Sequence, residues 1–234
     1  MDSPTFPMRI NKYLALNRYS TRPGADDLIK AGKVFINGKR AVLGAKVMEH
    51  DTVEVRGAPQ KSYTYIAYHK PIGVITHSPQ LGEDDVQTAI GRSDVFPVGR
   101  LDKGSHGLML LTNDGRVTDR LLNPAFAHDK EYLVRTTDEL PANFKRRMES
   151  GVNIEGYMTK PCKVHIIGER TFKVVLTEGK KHQIRRMCSA LDQTVRDLKR
   201  IRILNIELGE LPSGQYRPIQ GAELERFLKS IGLA

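Results

Sequence analysis

Two cysteines, Cys162 and Cys188, are all that the 234 residues contain. They stand without CxxC spacing in segments that otherwise read as core, which argues against a disulfide scaffold or a zinc knuckle and fits a reducing, cytoplasmic compartment. The seven histidines are scattered, with no HExxH or comparable ligand spacing, so no metal is expected. No uninterrupted apolar run approaches membrane-spanning length, so no membrane role is expected. Met1 to Pro7 lacks the basic flank and apolar stretch of a secretory signal and reads as a frayed tail. Repeats and low-complexity tracts are missing as well. Acidic residues are in short supply: 27 Asp and Glu face 37 Lys and Arg, a formal net charge of +10. That excess suits a polyanion such as nucleic acid, because each neutralised phosphate releases condensed counterions. Charge alone would describe a merely basic soluble protein equally well.

The length suits one sizeable core plus a small module, hence two domains. From Met8 to about Arg56 the spacing of Ile10, Tyr13 and Leu14, then Leu28 and Ile29, predicts two short helices. A hairpin follows, with Val34 and Ile36 alternating before Asn37-Gly38, and Val42, Val47, Val53 and Val55 supply further short strands. Thr21 is the expected N-cap of the second helix, Pro23 suits its first turn and Gly32 closes it. Basic residues crowd this stretch, and Arg9, Lys12, Arg22, Lys39 and Arg40 are the candidate RNA contacts on one cationic face. Its opening RINKYL, its AGxVxINGK turn and its closing DxVEV resemble the S-four RNA-binding domain, named for ribosomal small-subunit protein four. The sequence departs from that pattern at Gly24, where many members carry a capping-box glutamate.

Residues 58–62 lack apolar periodicity and carry a proline, which marks a linker between a module at 8–57 and a larger domain at 63–234. Beyond it, strands are expected at Tyr65 to Tyr68, Val74 to Thr76, Leu108 to Thr112, Tyr132 to Arg135, Cys162 to Ile167 and Thr171 to Leu176. Helices are expected at Arg116 to Leu122, Pro141 to Ser150, Lys181 to Ala190 and Ala222 to Ile231. Strands come in runs and hairpins, so the fold class is α+β, around a mostly antiparallel mixed sheet with flanking helices.

The segment from Phe96 to Gly115 carries the most information. Glycines at 99, 104 and 107 permit a constrained loop around Asp102 just before an apolar strand, a position that suits a reactive carboxylate. Taken alone, such an aspartate is a turn former. The whole run GRLDxxSxGLxLLTNDG, however, resembles the catalytic motif of the ribosomal (RsuA/RluF-type) pseudouridine synthases. His69-Lys70-Pro71-Ile72-Gly73, Lys130-Glu131-Tyr132-Leu133-Val134 and Gln183-Ile184-Arg185-Arg186-Met187 match the same family in order. The resemblance implies an enzyme that isomerises uridine in structured RNA, with Asp102 as nucleophile and no metal or organic cofactor. A carboxylate at the anomeric carbon holds the sugar while the freed uracil turns over. A lasting sugar adduct and an elimination through a glycal both stay open.

By the same resemblance, Tyr132 stacks on the flipped uracil and helps move a proton. Arg185 pairs with Asp102 and keeps it ionised. Arg100 and Arg186 join the RNA-binding candidates, and the basic run Lys199-Arg200-Ile201-Arg202 is a further source of phosphate contacts. Ser105 beside His106 makes no hydrolase triad, since no GxSxG elbow is present. The KxSxG wording, the TKxCKV segment and the QIRRMC helix resemble the large-subunit RluF-type branch, which implies ribosomal RNA as partner. A small-subunit target, a transfer RNA stem-loop and a non-catalytic ribosome-assembly factor are the alternatives. A monomer is expected, as suits an enzyme that approaches a large RNA.

Overall fold

A computed structural model describes residues 6–17, 19–20, 22–57, 62–77, 82, 84–123 and 125–233. The expected cap Thr21 and most of the expected linker, 58–61, lie outside them. The N-terminal part runs β1 (Met8–Arg9), α1 (Ile10–Leu16), α2 (Arg22–Lys30), β2 (Val34–Ile36), β3 (Lys39–Arg40), β4 (Lys46–Val47) and β5 (Val53–Val55). Its core is the predicted one: Ile10, Leu14, Ile29, Val34 and Val47 are buried together. Gly32, at φ +69°, reverses the chain after α2, and its amide donates to Ile29 O at 2.9 Å. A glycine suits this turn doubly, because the Arg40 guanidinium occupies the space a Cβ would need. Val42, expected in a strand, is exposed in a loop.

The larger part contains β6 (Tyr65–Lys70), α3 (Val86–Ile90), β7 (Phe96–Val98), β8 (His106–Thr112), α4 (Gly115–Leu122), β9 (Lys130–Thr136) and α5 (Phe144–Glu149). It continues with β10 (Asn153–Ile154), β11 (Tyr157–Met158), β12 (Lys163–Gly168), β13 (Thr171–Leu176) and α6 (Gln183–Ser189). Last come β14 (Val195–Ile203), β15 (Ile206–Glu207), β16 (Tyr216–Pro218) and α7 (Gly221–Ser230). One sheet in the order β12-β13-β9-β14-β8-β6-β16 organises it, with β15 on β14 and β7 on β8. All its pairings are antiparallel except β14 with β8, which share only the registers Lys199 with His106 and Arg200 with Gly107. The domain is thus α+β, and its sheet is two antiparallel halves joined by a short parallel seam.

The halves are packed differently. In β6 and β8 the side chains alternate between two cores: Tyr65, Ala67, Leu108 and Leu110 face one, while Ile66, Tyr68, Met109 and Leu111 face the other. Burial on both faces explains why these strands read as continuous apolar runs. In β13 only Phe172, Val174 and Leu176 are buried, against α5 and α6, and Phe172 meets Phe144 edge-on at 4.9 Å. The other face of that half is left partly open.

The expected strand at Val74 to Thr76 is corrected to a loop with one parallel bridge from Ile75 to Asp85. Its polar groups are engaged elsewhere: Lys70 donates to Val74 O, and Thr76 bonds Leu101. The N-terminal part touches the larger one where the Tyr63 hydroxyl donates to Leu16 O at 2.8 Å. No helix among the described residues is long and apolar enough to cross a membrane.

Candidate active site

The loop carrying Asp102 connects β7 to β8 and reaches the parallel seam. Gly99 at φ +81° opens it and Gly107 at φ +107° closes it. At Gly107 the backbone of β14 approaches so closely that a Cβ would lie 2.3 Å from Arg200 O, and only glycine admits that contact. The loop is braced from three directions. Thr76 Oγ1 donates to Leu101 O at 2.8 Å, Gly73 N donates to Lys103 O at 2.9 Å, and Arg185 Nη2 donates to Gly104 O at 2.8 Å. Within it, Ser105 N donates to Asp102 O at 3.0 Å. The Asp102 carboxylate is 38% exposed and stands 3.5 Å from His182 Nε2.

Asp102 opens onto a cleft of about 680 Å³ that Arg100, Phe126, Lys130, Tyr132, His182 and Arg200 also line. Tyr132 on β9 pairs with Val174 of β13 and Arg200 of β14, and packs against cores from both halves of the sheet. The structure therefore brings Asp102, Tyr132 and Arg100 to one cavity at the seam.

Arg185 is placed differently from the expectation. It makes no ion pair with Asp102; its Nη1 donates to Val195 O at 3.1 Å and its Nη2 bonds Gly104 O and Ser105 Oγ. Arg185 thus holds the loop's backbone rather than its carboxylate. His182, which precedes α6 in the left-handed conformation, supplies the nearest base instead. Arg186 binds Ile154 O and the Glu155 carboxylate, tying α6 to the hairpin β10–β11. Arg9, Arg22, Lys39 and Arg40 are exposed and Lys12 is half-buried, all outside the cleft lining.

Two cations beneath the cleft were visible in the sequence only as members of a motif or a basic run. Lys70, fully buried, donates to Pro71 O at 2.9 Å and Val74 O at 2.7 Å. Burial pushes its ammonium down to about 8; the negative charge of Asp102 works against that, and Arg200 adds to it. Arg200, 3% exposed, donates from Nε to Leu108 O at 2.6 Å. The two-residue period of a strand was the available signal, since it separates Arg200 from Lys199 and Ile201. His106, beside Ser105 in sequence, binds Asp197 at 3.0 Å and stacks on His69. Ser105 is fully buried, so these groups brace β8 rather than forming a triad.

The family model for RNA pseudouridylate synthase matches residues 64–190, and the S4 domain model matches residues 8–53. The chain belongs to the RNA pseudouridine synthases. This synthase is 38% identical, over 97% of its length and 81% of the relative's, to the dual-specificity RNA pseudouridine synthase RluF of Escherichia coli (strain K12). It is 33% identical to the ribosomal large subunit pseudouridine synthase B of Bacillus subtilis (strain 168), covering 94% of this chain and 95% of that one. A crystal structure of a pseudouridylate synthase superimposes with a TM-score of 0.70 at 28% identity, covering 94% of this synthase and 99% of that chain. The synthase is therefore an RNA-modifying isomerase of RluF type with an N-terminal S4 domain.

Proposed function

We propose that the synthase isomerises uridine in large-subunit ribosomal RNA, with Asp102 as nucleophile on a uridine flipped out of its stack into the cleft. The single observation that carries the catalytic assignment is the Asp102 carboxylate: on a loop braced from three sides, it stays open to a cleft also lined by Tyr132. Its attack on the anomeric carbon releases uracil, which turns over so that carbon five meets the sugar. Tyr132 offers a ring for the base to stack on, and Arg185 acts as a positioning residue through Gly104 and Ser105. Flipping costs a few kcal/mol, which phosphate contacts from the module at 8–57, from Arg100 and from the cleft rim offset. The substrate assignment draws on the names of the relatives, one for the large ribosomal subunit and one for a dual specificity among RNAs. The second name favours a second RNA substrate beside ribosomal RNA as the second reading.

Asp102→Asn tests this assignment. The variant should release no tritium from RNA labelled at uridine carbon five, yet bind that RNA within about twofold of wild type, since the lost charge acts in chemistry. Release at the wild-type rate would remove Asp102 from the mechanism. Mapping pseudouridines in cells with and without the protein names the RNA.

A further inference from the structure

When the bond from ribose C1′ to uracil N1 breaks, its electron pair leaves with the base. The uracil then carries negative charge spread over N1, O2 and O4 until C5 bonds to C1′. At that step C5 gives up its proton and N1 takes one up, so atoms and charge balance without a co-reactant. An anion formed away from bulk water needs a donor already fixed in place.

Arg200 has the properties of such a donor. Arg200 is almost wholly buried yet is among the residues that line the cleft holding Asp102 and Tyr132. One N–H is used, by Leu108 O, and Nη2 is buried without any acceptor. No carboxylate among the described residues lies within ion-pair distance of it, whereas Arg202, two residues on, is paired with Glu131 at 2.7 Å. A buried guanidinium without an anion costs several kcal/mol, so its place invites an anionic or carbonyl ligand. The backbone fixes it there: Arg200 stands between Gly107 of β8 and Tyr132 of β9, and the missing side chain of Gly107 lets β14 come this close. Lys70 and Lys130 also feel its positive charge. Lys70 donates to two carbonyls and Lys130 to His128 O, whereas Nη2 of Arg200 has no acceptor.

We propose that Arg200 is a catalytic residue that donates a charge-assisted hydrogen bond to an oxygen of the departing uracil, stabilising the anion formed when the bond to ribose breaks. This inference rests on the assignment of Asp102 as nucleophile.

The test uses the full chain and a ribosomal stem-loop containing the uridine that the wild-type protein modifies, made with site-labelled uridine or with 5-fluorouridine at that position. Fluorine makes the uracil anion more stable by itself, so a donor matters less to it. Single-turnover loss of the parent nucleoside is followed by chromatography. Arg200→Met should slow uridine consumption about 100-fold and 5-fluorouridine consumption about tenfold or less, with RNA affinity within about twofold. Equal slowing on both bases, or none on either, would overturn the proposal, because a merely structural role does not distinguish leaving groups. Should Arg200→Met fail to show a cooperative melt, Arg200→Lys carries the test on the same ratio. Asp102→Asn serves as the separate control: it should stop both bases alike, and its activity at the wild-type rate would sink the nucleophile assignment whatever Arg200 does.

Discussion

The N-terminal module and the catalytic cleft handle positive charge in opposite ways. Arg9, Arg22, Lys39 and Arg40 are exposed, whereas Lys70 and Arg200 are almost completely buried. Exposed cations are hydrated and screened by salt, so they act as a pool that attracts phosphate wherever it lies. Buried cations interact at low effective dielectric and at one fixed position, which suits charge that develops on particular atoms of a substrate. The contrast suits a module that grips and a cleft that reacts, although the same residue types serve both.

Backbone packing gives the sharpest way to break this comparison. Gly107 sits at the seam with Arg200 O in the space of its would-be Cβ, while Gly38, in the hairpin of the module, has φ +75° and nothing within 4 Å. Gly107→Ala should destabilise the protein by about 3 kcal/mol or more in urea unfolding. Gly38→Ala should cost about 1 kcal/mol, from backbone strain alone. Equal losses would mean that the seam is no more tightly built than the module. Charge gives the next largest effect. Replacing Arg9, Arg22 and Lys39 together by Gln should lower RNA affinity about tenfold or more and reduce the salt slope by about 1 for each phosphate no longer neutralised. The single-turnover rate at saturating protein should not change. A slope that stays the same between roughly 50 and 200 mM salt would remove the module from RNA binding.

The smallest expected effect concerns the buried lysine. Lys70 titrates at about 8 in the folded protein against an ordinary value of 10.5. Between those values the unfolded chain binds a proton that the native state has lost, so this group makes the native state more stable as pH rises. The penalty for burying the charge is fully present below pH 8 and gone above 10.5. The stability difference between wild type and Lys70→Met should therefore move in favour of wild type by about 1 kcal/mol from pH 8 to 9. A difference independent of pH would show that this cation is as well solvated as those of the module.

Much of the fold was legible because it depends on local pattern. The alternation in Thr171 to Leu176, the apolar run in Leu108 to Thr112 and the turn at Gly32 each recur as expected. Motifs likewise singled out Asp102 and Tyr132, and the fold sets both in one cleft. Where local pattern misled, hydrogen bonds to other segments had displaced local preference. Val74 to Thr76 has strand-forming residues, but its carbonyl and hydroxyl groups are taken by Lys70 and Leu101. Arg185, read as the partner of Asp102, is instead held by the backbone carbonyls of Gly104 and Val195.

The order of residues by itself determined the two-part organisation and the α+β class and singled out Asp102, because periodicity, turn chemistry and a long motif are written in consecutive positions. Tertiary structure alone decided which cations are buried. Lys199, Arg200 and Arg202 look alike in a row, and only the parallel pairing with Gly107 sets Arg200 beneath the cleft while Arg202 finds Glu131. Burial depends on what crosses from a distant strand, and the energy of a charge depends on burial, so a charge's role is settled by neighbours that the chain brings together only when it folds.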